Sequence, residues 1–100
     1  EAIKLDYGLA QLHTPVKIAV THYAPIKETV IGEPEPIFPF LGSSRLERAL
    51  HRHKPALALH GHAHHGTFSA EAQCGVRVCN VSLPVLRERG QEHPFAVFDF

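Results

Sequence analysis

Four of the chain's nine histidines fall within Leu59-His60-Gly61-His62-Ala63-His64-His65-Gly66. Neutral imidazole is the commonest metal ligand, and zinc, iron, cobalt and nickel all accept it. His62 and His64 are two positions apart, so on an extended segment both rings leave the same face. Gly61 is expected to let the backbone bend and to clear space beside a metal. A further histidine, His22, has a matching context: it follows Ile18-Ala19-Val20-Thr21 and precedes Tyr23-Ala24-Pro25. Two buried strands that each end in histidine place those rings on one rim of one sheet. The competing reading of such a string is a solvated loop that binds metal only by accident.

The elements that must carry these residues follow from spacing. Residues 1–12 fit a short helix imperfectly, and Thr14-Pro15 ends it. Residues 16–20 run apolar, as a buried strand does. Residues 26–42 hold three prolines and two glycines, which predicts a long loop without helix or central strand. Ser44 and Glu47 read as a capping box that opens a helix over 44–53, with Leu46, Ala49 and Leu50 as its apolar stripe. Strands are expected at 56–59, 67–69, 76–81 and 95–100. The order α–β–loop–α–β–β–β–β predicts an α+β fold in a single domain, residues 1–100.

Composition narrows the function classes. Ten Lys+Arg balance ten Asp+Glu, which argues against a nucleic-acid surface driven by bulk charge. No apolar run approaches the ~20 residues that span a bilayer. The absence of Met and the opening on Glu1 read as an excerpt from a longer protein. Cys74 and Cys79 are five apart, too few for a zinc signature, and read as free thiols in a reducing, cytoplasmic compartment.

The remaining candidates have bland readings. His60 reads as structural. His51 and His53 sit at a helix end, where positive charge suits the dipole, and His13 and His93 flank turns with Pro. Gly42-Ser43-Ser44 with Arg45 offers amides to a phosphate, but plain capping accounts for it. Glu33 and Glu35 read as a solvated loop. Asn80 reads as a backbone-bonding residue at a strand end.

His22 in VTHYAP and His62 and His64 in LHGHAH resemble the last two sequence blocks of the calcineurin-like metallophosphoesterases. The segments GEPEPIFPFLGSSRLE and NVSLP are similar to one bacterial branch of that family, so the resemblance covers nearly all of the chain. It implies part of a β-sandwich flanked by helices, here the C-terminal half, with about five strands and two helices. It also implies a phosphoesterase in which hydroxide at a dinuclear Mn-, Fe- or Zn-type centre cleaves a phosphate-ester substrate. His22 and His62 are then ligands of one metal and His64 of the other, with His65 and Tyr23 near the substrate.

The sequence departs from that pattern. The family's D-x-H, G-D-x-x-D and G-N-H-[DE] blocks are missing; the aspartates are Asp6 and Asp99, and the asparagine is Asn80. No bridging carboxylate and no catalytic general acid are in this chain. Three imidazoles cannot hold a metal pair, so the chain alone is expected to bind one metal or none and to be inactive. A sandwich half is also expected to self-associate or swap elements through its uncovered strands. The alternatives are a histidine-based single-metal module and a non-catalytic interaction domain.

Overall fold

Leu46, Ala49 and Leu50 recur at helical spacing and are all buried, which makes one stripe of a helix the hinge of the core. The computed structural model describes residues 1–88 and 95–100. In chain order the elements are α1 (Ala2–Gln11), β1 (Ile18–Thr21), a 3₁₀ turn (Glu35–Ile37), α2 (Phe38–Leu41) and α3 (Ser44–His53). They continue with β2 (Leu57–His60), β3 (Ser69–Glu71), β4 (Arg77–Asn80) and α4 (Leu83–Glu88). The domain is α+β, as its sequence pattern predicts.

The four strands form one sheet in the order β1-β2-β4-β3. β1 runs parallel to β2 and β2 parallel to β4, while β3 is antiparallel to β4. Helices α1 and α3 close one face. Leu9, Leu50 and Ile26 pack there on Ala19, Ala58 and Val78. Asp6 of α1 pairs with Arg52 and His53 of α3 at 2.5 and 2.7 Å, fixing the two helices side by side. α3 stops where Lys54 turns left-handed and its N–H returns to Leu50 O at 2.7 Å, just before Pro55.

Several expectations are corrected. Among the described residues there is one sheet of four strands, against about five strands expected. Residues 95–100 form no strand; Phe98 instead stacks on Phe68 at 6.5 Å with the Arg77 guanidinium carbon 5.4 Å from its ring centre. His93 lies outside the described residues. Among the described residues four α-helices outnumber the two expected, because Pro39 and Pro84 occupy the second position of α2 and α4. A first-turn proline forfeits no helical hydrogen bond. Ser43, not Ser44, occupies the N-cap of α3, and its side chain makes no capping bond. β1 is not buried on both faces: it is an edge strand, with Ile18 43% and Val20 70% exposed.

The proline-rich segment is nevertheless well packed. Ala24, Val30, Leu41 and Ala63 form a second buried cluster against Phe38. Ala24 also exchanges backbone bonds with the junction of α2 and α3, its N–H donating to Leu41 O and its C=O accepting from Ser43 N, both at 2.9 Å. Among the described residues, no helix is long and apolar enough to cross a membrane.

Candidate metal centre

Parallel pairing decides where the histidines go. Register joins Thr21 of β1 to His60 of β2, so the chain leaves both strands at the same edge of the sheet. The Gly61 N–H then donates to His22 O at 3.3 Å, keeping the two exits together. The result is a cluster of rings: His22 and His62 lie 4.5 Å apart, tilted by 39°. Tyr23 meets both edge-on, at 5.0 Å from His22 and 5.4 Å from His62.

Each ring has its own mount. The backbone N–H groups of His22 and Tyr23 donate to the Glu1 carboxylate at 2.9 and 3.4 Å. The Thr21 hydroxyl donates to Tyr23 O at 2.7 Å, which tightens the turn after β1. His62 Nε2 lies 3.2 Å from Phe40 O. A carbonyl only accepts, so Nε2 carries the proton and Nδ1 keeps its lone pair. Such a bond from the second ring nitrogen is how proteins orient ligating histidines.

The bend in the histidine turn is not at Gly61, whose missing Cβ would meet nothing within 4 Å. It is at His62 itself, whose φ of 69° is left-handed. A β-carbon in that region carries a steric cost that surrounding contacts must hold down. Those contacts come from Asn80. Its side chain is fully buried; Nδ2 donates to Ala63 O at 2.8 Å and to Thr29 O at 3.2 Å, and Oδ1 accepts from Ser82 N at 3.1 Å. Gly66 permits this closeness: a Cβ there would sit 2.2 Å from Thr29 O and 2.6 Å from Asn80 Nδ2.

His60 is structural, as its sequence context suggests. Its ring is buried, with Nδ1 donating to Gly61 O at 2.8 Å and Nε2 accepting from the Thr29 hydroxyl at 2.7 Å. Burial lowers its pKa below the ordinary 6.5; the Gly61 carbonyl pulls the other way, and nearby His62 lowers it further.

The predicted ligands therefore divide. His22 and His62 are brought together, whereas His64 is exposed and its ring makes no hydrogen bond among the described residues. His65 is exposed too, and its backbone N–H donates to Glu33 Oε1 at 2.7 Å. Glu33 is thus a tether of the histidine turn, not a purely solvated loop residue. Among the described residues, no three His, Cys, Asp or Glu side chains gather closely enough to hold a metal ion. Two adjacent imidazoles suit part of the coordination of one divalent metal; the donors among the described residues do not fit a metal pair. Cys74 and Cys79 are free, and the Cys79 thiol faces the Ser69 hydroxyl at 3.6 Å, away from any ligand role.

Sequence reasoning missed the roles of Thr29, Glu33 and Phe40. Thr29 and Phe40 act through main-chain or hydroxyl groups that carry no spacing signal, and the Glu33 bond joins residues 32 apart. No family model matches the chain, and neither a curated protein nor a solved structure matches it.

Proposed function

We propose that this chain supplies the imidazole ligands of a metal-dependent phosphoesterase, with carboxylate ligands contributed by residues outside it. The observation that carries this reading is the adjacent His22–His62 pair at the shared end of two parallel strands. His22 and His62 are the ligands of one divalent metal, and His64 belongs to a second. When bound, a metal pair of the Mn, Fe or Zn type neutralises phosphate charge and activates water for attack on the ester. The chain's own share is positional. The Asn80 and Glu33 bonds hold the turn, Phe40 O orients His62, and the Glu1 carboxylate anchors the backbone under His22. Free Cys74 and Cys79 are in keeping with a reducing, cytoplasmic setting.

Titration calorimetry with Zn²⁺ and Mn²⁺ tests the assignment. Binding by the wild-type chain should fall at least tenfold in His22→Ala and in His62→Ala, and less in His64→Ala. Equal binding by all four proteins would remove the histidine pair from the reading. Vigorous metal-dependent hydrolysis of p-nitrophenyl phosphate by the chain alone would refute the claim that the carboxylates lie elsewhere. A second reading, a single-metal module, draws on the His22–His62 pair alone. It requires one tightly held metal per chain with no external ligand.

A further inference from the structure

Beside the histidine pair lies an open cavity of about 470 Å³, a volume suited to a small ligand. It shares Tyr23 with the ring cluster and Phe40 with the carbonyl that orients His62. Ile3 and Pro39 complete an apolar wall, and Ser43 and Arg45 supply its polar side. Three large apolar side chains are unusually open to solvent around it: Ile3 at 85%, Phe40 at 72% and Tyr23 at 41%. Arg45 has no carboxylate or other partner among the described residues. The one carboxylate on the wall, Glu1, already accepts from two backbone N–H groups.

We infer that this cavity binds the phosphate monoester of a flat, apolar alcohol. The ring lies against Tyr23 and Phe40, and the phosphate takes the Arg45 guanidinium, whose planar fork matches phosphate oxygens. Aromatic walls favour a ring over a sugar or an aliphatic chain, since ring faces and edges attract one another. An unpaired guanidinium favours an anion over a neutral or cationic group. The inference rests on the phosphoesterase reading for its biological sense, because the cavity then holds the substrate next to His22 and His62. Its binding claim stands on the cavity alone.

The test is a metal-free heteronuclear NMR titration of the full 100-residue chain with phenyl phosphate, inorganic phosphate and phenol. Phenyl phosphate should shift the amides of Tyr23, Phe40, Ser43 and Arg45 saturably. Phosphate and phenol should each bind at least tenfold more weakly. Arg45→Gln should weaken phenyl phosphate about tenfold, the loss of a charge-assisted bond, and leave phenol unchanged. Phe40→Ala should weaken both aromatic probes; both residues are solvent-facing, so both variants should keep native spectra. Shifts that fall elsewhere, phosphate binding as well as its phenyl ester, or an Arg45→Gln variant that binds normally would each overturn the inference. Metal titration of the wild type and the two histidine variants separates the two claims. Metal binding that is equal in wild type, His22→Ala and His62→Ala, with intact phenyl phosphate shifts, refutes the histidine-pair reading and upholds the cavity; metal binding that depends on both histidines, without phenyl phosphate shifts, refutes the cavity alone.

Discussion

Truncating Asn80 should loosen the histidine turn at a cost that the surrounding bonds allow to be estimated. In Asn80→Ala two carbonyls lose a donor, but neither is orphaned. Thr29 O still accepts from Thr67 N at 2.9 Å, and Ala63 O from Gly66 N at 3.0 Å. The Ser82 N–H does lose its side-chain acceptor in a buried position. One orphaned donor at about 1.5 kcal/mol, two lost but replaceable bonds at about 0.5 kcal/mol together, and a small cavity at about 1 kcal/mol sum to about 3 kcal/mol. For a domain of this size that lowers Tm by about 15 °C. Asn80→Asp sharpens the test. It keeps the acceptor for Ser82 but turns an oxygen toward two carbonyls that now receive N–H bonds. Its carboxylate is buried without a donor there, so its pKa rises in the folded state. A raised carboxylate pKa contributes stability that is present at low pH and lost as pH rises, so this variant should be worse than Asn80→Ala at pH 7 and recover toward pH 5. Urea unfolding followed by circular dichroism reads both. Exchange broadening of the His62 and His64 ring signals reads the turn itself. An Asn80→Ala cost below about 1 kcal/mol, or an Asp variant milder than Ala at pH 7, would refute the reasoning.

Other outcomes follow from the same geometry. Gly66→Ala should destabilise by about 3 kcal/mol or more, because its Cβ meets backbone at 2.2 Å, while Gly61→Ala should stay within about 0.5 kcal/mol; thermal melts compare them directly. Stability should fall as pH drops below about 6.5, since His60 resists protonation when folded and takes up a proton on unfolding. Urea midpoints at pH 7.5 and 5.5 should differ less in His60→Gln; an unchanged difference would assign the effect to other histidines. Exposed Ile18 and Val20 on the edge strand should drive concentration-dependent association that Val20→Lys suppresses. A monomeric wild type at high concentration in sedimentation equilibrium would count against it.

Helix α3 was legible because its stripe Leu46, Ala49, Leu50 repeats at helical spacing, and the same repeat is buried in the structure. The shared edge of His22 and His62 was legible because each follows a short apolar run that parallel strands require. What the sequence concealed came from long-range choices. Nothing local says that residues 95–100 pack through Phe98 and Arg77 instead of joining a ladder. Pro39 reads as a breaker, since a proline's tolerance depends on its position within a helix that must first be known. The strained residue of the turn was assigned to Gly61, the residue suited to it, whereas tertiary bonds impose it on His62.

The parallel pairing of β1 with β2 also sets when the ring cluster can exist. Ile18 pairs with Leu57 and Thr21 with His60, so each bridge closes a loop of about 40 residues. Closing such a loop costs about 3 kcal/mol in chain entropy before any pairing compensates it. Local elements such as α3 form without that step. The His22–His62 contact is therefore a clock for the slow, topological part of folding. On a growing polypeptide it cannot appear until β2 has emerged and found its partner strand. A ring signal from His22 that reports its neighbour thus reports a finished sheet, and the chain exposes no paired imidazoles while it is still incomplete.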